Sequence, residues 1–235
     1  MVRDILDFMN GTITAQEMIA IVFAFAVVLL VAFPIHECAH AVTAKFLGDD
    51  TAYLQGRVTL NPLAHLDFFG TIFMLLCGIG WAKPVPVNPV KCRKTSAKAA
   101  MAITSAAGPL SNILLAFIFM IIMKIFIYSV GMGIMESVNF YIYYALLTVI
   151  ELNLYLGVFN MLPIPPFDGS RIFLSFLPTK TYFKIMKYEQ VIMIVVLALM
   201  WTGILSIPLQ WLTDIIYQGL HYATCFIELI FGMPI

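Results

Sequence analysis

Long apolar stretches separated by short polar loops dominate this chain. A helix needs about 20 residues to cross a bilayer. Four of the stretches are long enough: residues 18–40, 99–127, 140–162 and 191–212. Two weaker stretches, residues 68–81 and 214–231, are short or interrupted by polar side chains. The pattern predicts an all-α polytopic membrane protein with about five to six transmembrane or membrane-embedded helices.

The composition agrees with this interpretation. Of the 235 residues, 62% are hydrophobic and 11% are charged, whereas soluble domains are about 45–50% apolar. The 13 basic and 13 acidic residues cancel, so no basic surface suggests a nucleic-acid partner. Four cysteines without CxxC spacing predict no disulfide. The expected partner is therefore the lipid bilayer.

The basic residues predict which loops share one side of the membrane. Lys and Arg concentrate in three loops: residues 41–67, 83–98 and 163–190. Only Arg3 and Lys124 lie elsewhere. Because cytoplasmic loops carry the excess of Lys and Arg, all three loops can be cytoplasmic only if residues 68–81 dip into the membrane and return. The prolines that follow cannot continue a helix. We therefore predict a short re-entrant, β-like segment beside a polar cavity.

The first apolar stretch ends in the motif His36-Glu37-Cys38-Ala39-His40. On a helix, residues four apart share a face, so His36 and His40 could bind one zinc ion with Glu37 as general base. The alternative is a chance pair of unrelated histidines. Ionisable side chains at membrane depth usually serve a function, which favours the metal site.

A third metal ligand is needed, because a catalytic zinc usually has three protein ligands and one open position. Asp168 is the best candidate, since it follows a proline-rich break after the third apolar stretch. Its alternative role is to cap the helix that begins there. In the predicted topology, His40 and Asp168 follow spans that run in the same direction. Both would then lie near the cytoplasmic face, able to share one ion.

Several segments, in order, resemble the site-2 protease family of zinc-dependent intramembrane metalloproteases. These segments are residues 34–41, 56–67, 80–89, 107–112 and 160–169. Phe167 stands where that family usually has leucine, which leaves the neighbouring Asp168 intact. The resemblance implies a minimal member without a PDZ domain that holds one Zn²⁺ per chain. Its implied activity is hydrolysis of peptide bonds within or near transmembrane segments of membrane-protein substrates.

The resemblance also implies roles around the metal. Asn160 would position substrate or stabilise the oxyanion, and Asn112 is a weaker candidate for the same role; the alternative for both is hydrogen bonding between helices. Val85 and Val87 alternate with prolines and are candidates for an edge to which an unwound substrate adds as a strand. The alternative for this segment is a structural loop.

We expect one membrane-embedded protease domain over residues 1–235, with a core at about 18–175 and C-terminal helices at about 191–231. The leading hypothesis is an intramembrane zinc metalloendopeptidase in a prokaryotic cell membrane, with its active site near the cytoplasmic side. The alternative is a zinc-binding membrane transporter or a catalytically inactive, client-binding relative. Glu37 favours the enzyme, because a transporter or binder needs no general base between its ligands.

Overall fold

The computed structural model describes residues 2–77, 83–131 and 137–232, and in these ranges the chain is helical without a regular strand. A π-helical turn, Val28–Ala32, joins α2 to α3, and a 3₁₀ turn, Pro89–Lys91, precedes α7. The α-helices are α1 (Val2–Met9), α2 (Ala15–Val27), α3 (Phe33–Leu47), α4 (Thr51–Leu54), α5 (Pro62–His65), α6 (Phe68–Cys77), α7 (Ala97–Val130), α8 (Ser137–Asn160), α9 (Asp168–Leu174), α10 (Thr179–Met186), α11 (Glu189–Trp201), α12 (Ser206–Ala223) and α13 (Phe226–Ile230).

Three helical stretches of the described residues are long and apolar enough to cross a membrane: Ala15–Leu47, Ala97–Val130 and Val138–Asn160. They correspond to the first three apolar stretches of the sequence. The prediction of an all-α integral membrane protein is confirmed, but the count of about five to six spans is not.

The first span carries the histidine motif on one unbroken helical path. It begins with a capping box, in which Thr14 accepts a hydrogen bond from the N–H of Glu17 and the Glu17 carboxylate bonds back to Thr14. Pro34 has no N–H, so it cannot complete a regular helical turn with Leu30. The π turn lies at this point, where the N–H of Phe33 donates to the carbonyl of Val28. His36 follows less than one turn later.

Helix α7 contacts both α3 and α8, and small residues make this close packing possible. A side chain on Gly157 of α8 would lie 3.2 Å from the carbonyl oxygen of Pro109. Farther along the pair, Met120, Ile150 and Leu154 are fully buried in the main apolar core. The three spans therefore form one packed unit, with the motif of α3 against the N-terminal half of α7.

After α3, the chain returns to the same end of the bundle before α7 begins. The N–H of Arg93 donates to the carbonyl of Leu47 at 3.0 Å, and the N–H of Asn88 donates to the carboxylate of Asp49 at 2.6 Å. This placement is what the predicted re-entrant segment requires. Residues 78–82 of that segment lie outside the described residues, so the re-entrant path stays a prediction.

The apolar stretch at residues 191–212 is not one continuous helix. Helix α11 ends at Trp201, and α12 begins at Ser206 and continues through the boundary expected at residue 214. Gly203 between them has a left-handed backbone, with φ of 77°, which ends a helix. Pro208 lies in the first turn of α12, where its missing N–H costs no helical hydrogen bond.

Candidate metal centre

Three potential ligand atoms converge between α3 and the start of α9. The Nε2 atoms of His36 and His40 lie 3.1 Å apart. The Oδ2 atom of Asp168 lies 3.2 Å from the first and 3.3 Å from the second. The two histidines come together because they are one helical turn apart on α3, and the proline-rich loop after α8 brings Asp168 to them. No other cluster of three or more such side chains occurs among the described residues.

The geometry of these three atoms fits zinc. Ligands at about 2.0–2.1 Å in a tetrahedral arrangement lie roughly 3.3–3.4 Å from one another, close to the observed separations. The donor set of two imidazoles and one carboxylate is typical of catalytic zinc sites. The three residues would therefore hold the ion and leave one position for water.

Helix α7 leaves space for the ion at this point. A Cβ atom on Gly108 would lie 2.4 Å from Nε2 of His40 and 2.6 Å from Nε2 of His36. Such a Cβ would thus fill the volume on which the imidazoles converge. Glycine at position 108 keeps that volume open while α3 and α7 remain in close contact.

A cavity of about 600 Å³ opens onto these residues. Glu37 lines it beside both histidines. A carboxylate in this position is free to accept a proton from a water molecule in the cavity. Three potential metal ligands, a carboxylate that could accept a proton and a cavity beside them are the parts that a zinc hydrolase requires.

Comparisons with known proteins identify the family. The profile described as peptidase family M50 matches residues 24–203 of the chain. The chain belongs to peptidase family M50. This match confirms the resemblance to site-2 proteases.

Two curated relatives carry names that agree with the geometry. "Putative zinc metalloprotease YwhC" of Bacillus subtilis is 42% identical over 173 residues, which cover 74% of this chain and 78% of the relative. "Putative zinc metalloprotease MJ0611" of Methanocaldococcus jannaschii is 32% identical over 140 residues, or 60% of this chain and 63% of that protein. No solved structure is significantly similar. The chain is thus a zinc metalloprotease of family M50, with zinc as its cofactor.

In this M50 peptidase, Asp168 is the first residue of α9, and the helix cap is Phe167. Burial raises the pKa of the Asp168 carboxyl, but hydrogen bonds and charge from His36 and His40 outweigh burial and hold it well below its ordinary value. The neighbouring Gly169 packs closely against the preceding loop. Its Cβ would lie 2.1 Å from the carbonyl oxygen of Met161, so glycine lets α9 pack on the preceding loop.

The other predicted site residues divide into two groups. Asn160, Val85 and Val87 line the cavity. Asn112 is fully buried and contacts the outer edge of His36, where its Nδ2 lies 2.9 Å from Nδ1 of the ring. It is the one predicted residue that touches a ligand and not the cavity.

Two contributions were not predicted from the sequence. The carbonyl of Thr104 accepts a hydrogen bond from Nδ1 of His40 at 2.7 Å. Arg171, one turn after Asp168, lines the cavity and brings a positive charge to it. The Thr104 contact uses a backbone atom, for which the side-chain pattern carries no signal. Arg171 could have been found, because residues three apart on a helix share a face.

Proposed function

We propose that this M50 peptidase is an intramembrane endopeptidase, which hydrolyses peptide bonds within or near transmembrane segments of membrane-protein substrates. The observation that carries the proposal is the position of the ligand set. His36 and His40 lie on one of the three apolar spans, and Asp168 follows another, Val138–Asn160, after a short proline-rich loop. A substrate helix in the same bilayer could therefore reach the cavity without leaving the membrane plane.

We assign His36, His40 and Asp168 to the metal and Glu37 to proton transfer. Zinc, when bound, lowers the pKa of a bound water molecule and polarises the scissile carbonyl. Glu37 accepts a proton from the water molecule while the water oxygen attacks the carbonyl carbon of the substrate. Glu37 then gives this proton to the peptide nitrogen as the C–N bond breaks. The products are a carboxylate and an amine, and no covalent intermediate with the enzyme forms.

Asn160 is suited to the oxyanion that forms during this attack. One hydrogen of its Nδ2 group is used in a 3.0 Å bond to the carbonyl of Leu156. An amide group has a second hydrogen, and Asn160 faces the cavity. We propose that this second N–H positions the substrate carbonyl or stabilises the oxyanion.

The segment from residue 83 to residue 88 is suited to hold the substrate backbone. Pro84 and Pro86 keep the residues before them extended and have no N–H to offer. Among the described residues, no backbone hydrogen bond involves Val85 or Val87. Residues two apart in an extended chain present their N–H and C=O groups to the same edge. We propose that this edge binds the unwound substrate as an added strand.

The basic loops support a position for the site near the cytoplasmic side. Most of the Lys and Arg residues of the loops lie at the end of the bundle that holds the proposed ligands. Lys124 is buried on α7 about 30 Å from that end, at a helical rise of about 1.5 Å per residue. We also retain the proposals of a single domain over residues 1–235 and a prokaryotic cell membrane, to which the Bacillus relative lends support.

The test compares the purified wild type with Glu37→Gln, using a single-span test substrate in the same lipid vesicles. We expect cleavage to fall roughly 10²–10⁴-fold, because glutamine cannot accept the proton. Both proteins should contain one zinc per chain.

Glu17→Gln is a matched control, because Glu17 is a partly exposed carboxylate at the start of the same span, where glutamine can still complete the capping box with Thr14. This control should cleave like the wild type. Equal cleavage by wild type and Glu37→Gln, with zinc present in both, would contradict the protease mechanism and favour a zinc-binding transporter or client-binding relative.

A further inference from the structure

Asn112 is buried directly behind one of the metal ligands. Its amide lies 2.9 Å from Nδ1 of His36, while the Nε2 atom of the same ring faces His40 and Asp168. The side chain is fully buried, and its Oδ1 atom has no hydrogen-bond partner among the described residues. Asn112 therefore contacts the ligand and not the substrate cavity.

The chemistry of imidazole decides which amide atom faces the ring. A histidine that binds metal through Nε2 is neutral, and its proton is on Nδ1. This Nδ1–H is a donor, so its partner must be an acceptor. Rotation of the amide about its last side-chain bond exchanges Nδ2 and Oδ1, which have nearly the same size. The carbonyl oxygen can thereby reach Nδ1 and gain the partner that it otherwise lacks.

The opposite orientation is incompatible with metal binding. If the amide NH₂ group donates to Nδ1, the ring proton must be on Nε2. That proton would point into the volume where the three ligand atoms converge. The side chain of residue 112 thus selects between a metal-binding and a metal-excluding form of the same ring.

We propose that Asn112 is a positioning residue, which accepts a hydrogen bond from Nδ1–H of His36 through its side-chain carbonyl and so holds Nε2 ready for zinc. The inference rests on the ligand set proposed above. Different kinds of group then hold the two ligand histidines. The carbonyl of Thr104 holds His40, and this backbone atom cannot be removed by a side-chain substitution. Asn112 holds His36, so its contribution can be tested by mutation.

The test measures zinc affinity by competition with a coloured chelator in the purified, detergent-solubilised full chain. Asn112→Leu keeps the size of the side chain but removes the acceptor, and we expect the affinity to fall about 10–100-fold. Asn112→Ala also removes the acceptor, and it places no apolar branch against the His36 ring, so it carries the same expectation. Asn112→Asp keeps an acceptor oxygen, so it should bind zinc at least as tightly as the wild type.

Asn153→Leu is the matched control. Asn153 is also fully buried, on α8, and its Nδ2 donates to the carbonyl of Val149 in its own helix at 2.8 Å. The same substitution there should leave zinc affinity at the wild-type value. A loss in Asn153→Leu equal to that in Asn112→Leu would overturn the inference, because general loosening of the bundle would explain both.

Two further results would also overturn it. One is wild-type zinc affinity in Asn112→Leu and Asn112→Ala. The other is a loss in Asn112→Asp as large as in Asn112→Leu, which also decides the matter if the leucine variant does not fold. Failure here is distinct from failure of the proposed function, because zinc affinity is measured without substrate and Glu37→Gln tests cleavage with zinc retained.

Discussion

The metal ligands and the extended segment 83–88 line the same cavity, but the protein holds them in different ways. Each ligand side chain has a further contact behind it or a helix that fixes it: Thr104 for His40, Asn112 for His36 and α9 for Asp168. The extended segment is fixed at its ends. The N–H of Lys83 donates to the carbonyl of His65, and Asn88 is bound by Asp49.

This difference separates the requirements of chemistry from those of binding. A metal site needs fixed ligand positions, because small displacements weaken coordination. A site for an unwound substrate needs free backbone groups along one edge. Val85 is packed against Ala41 and Ala52, which holds the segment in place without using its hydrogen-bonding groups. Changes to the two regions should therefore affect different measurements.

The largest effect is expected from Gly108→Ala. The added methyl group would lie within 2.6 Å of both histidine Nε2 atoms, in the volume proposed for zinc. Loss of a hydrogen bond to the outer side of a ligand lowers metal affinity by up to about 100-fold. We expect Gly108→Ala to lower zinc affinity by more than this, and cleavage to disappear as well. Zinc content by atomic absorption and cleavage of the test substrate measure the two effects.

Gly219→Ala is the control for this change. Gly219 lies within α12, and its added Cβ would meet no atom within 4 Å. We expect normal zinc content and activity in this variant. Stoichiometric zinc in Gly108→Ala would show that the ion does not lie between the two imidazoles, and the proposed site would be wrong.

A smaller effect, confined to substrate, is expected from Val87→Pro. Proline removes one N–H from the proposed edge and keeps the segment extended. Loss of one hydrogen bond, about 1 kcal/mol, predicts a decrease in kcat/KM of about 5–10-fold. Zinc content should be unchanged. Val87→Ile, another strand former, should cleave normally, and equal kcat/KM in the two variants would mean that the edge does not bind substrate.

The smallest effect is expected from Asp49→Asn, which weakens the anchor of the segment. Burial raises the pKa of the Asp49 carboxyl, but hydrogen bonds from Thr51 and Asn88 and the nearby charge of Lys91 outweigh it, so the pKa is lower than usual. A lowered pKa means that the stabilisation is present at neutral pH and is lost only as pH falls through this acidic value. The variant thus tests the anchor at any pH near 7.

We expect Asp49→Asn to raise KM by about 2–5-fold, because a neutral amide forms weaker hydrogen bonds than a carboxylate. Zinc content and kcat should be unchanged. The neighbouring Asp50 is exposed and its side chain does not cap α4, so Asp50→Asn is the control. A fall in zinc content in Asp49→Asn would mean that the extended segment and the metal site are coupled, which would contradict their separate roles.

The three side chains proposed as metal ligands could be singled out from the sequence because their signals are local, and the structure brings them together. His36 and His40 are spaced for one helix face, and prolines before Asp168 mark the break that frees it to turn towards them. The direction of the spans then predicted that these residues meet. The three long spans are long apolar stretches, so they too were clear from hydropathy.

The remaining features depend on contacts between distant residues, which periodicity does not encode. Gly108 has no side chain that could bind a metal, and only its distance to the imidazoles links it to the proposed metal position. Asn112 was a weaker candidate for the substrate role, with hydrogen bonding between helices as the alternative, and the structure places it on α7 against the far edge of His36 on α3. The apolar run across residues 191–212 hides a break, because a single glycine turn at Gly203 hardly changes hydropathy.

Zinc-edge X-ray absorption of the purified wild-type protein tests the central claim most directly, since it reads the ligand atoms of the bound ion. We predict one zinc per chain with nitrogen and oxygen ligands only, at about 2.0–2.2 Å, including the scattering pattern of two imidazoles. Cys38 lies within the motif as an alternative donor. A sulfur ligand at about 2.3 Å, or a shell with fewer than two imidazoles, would contradict the assignment of His36, His40 and Asp168.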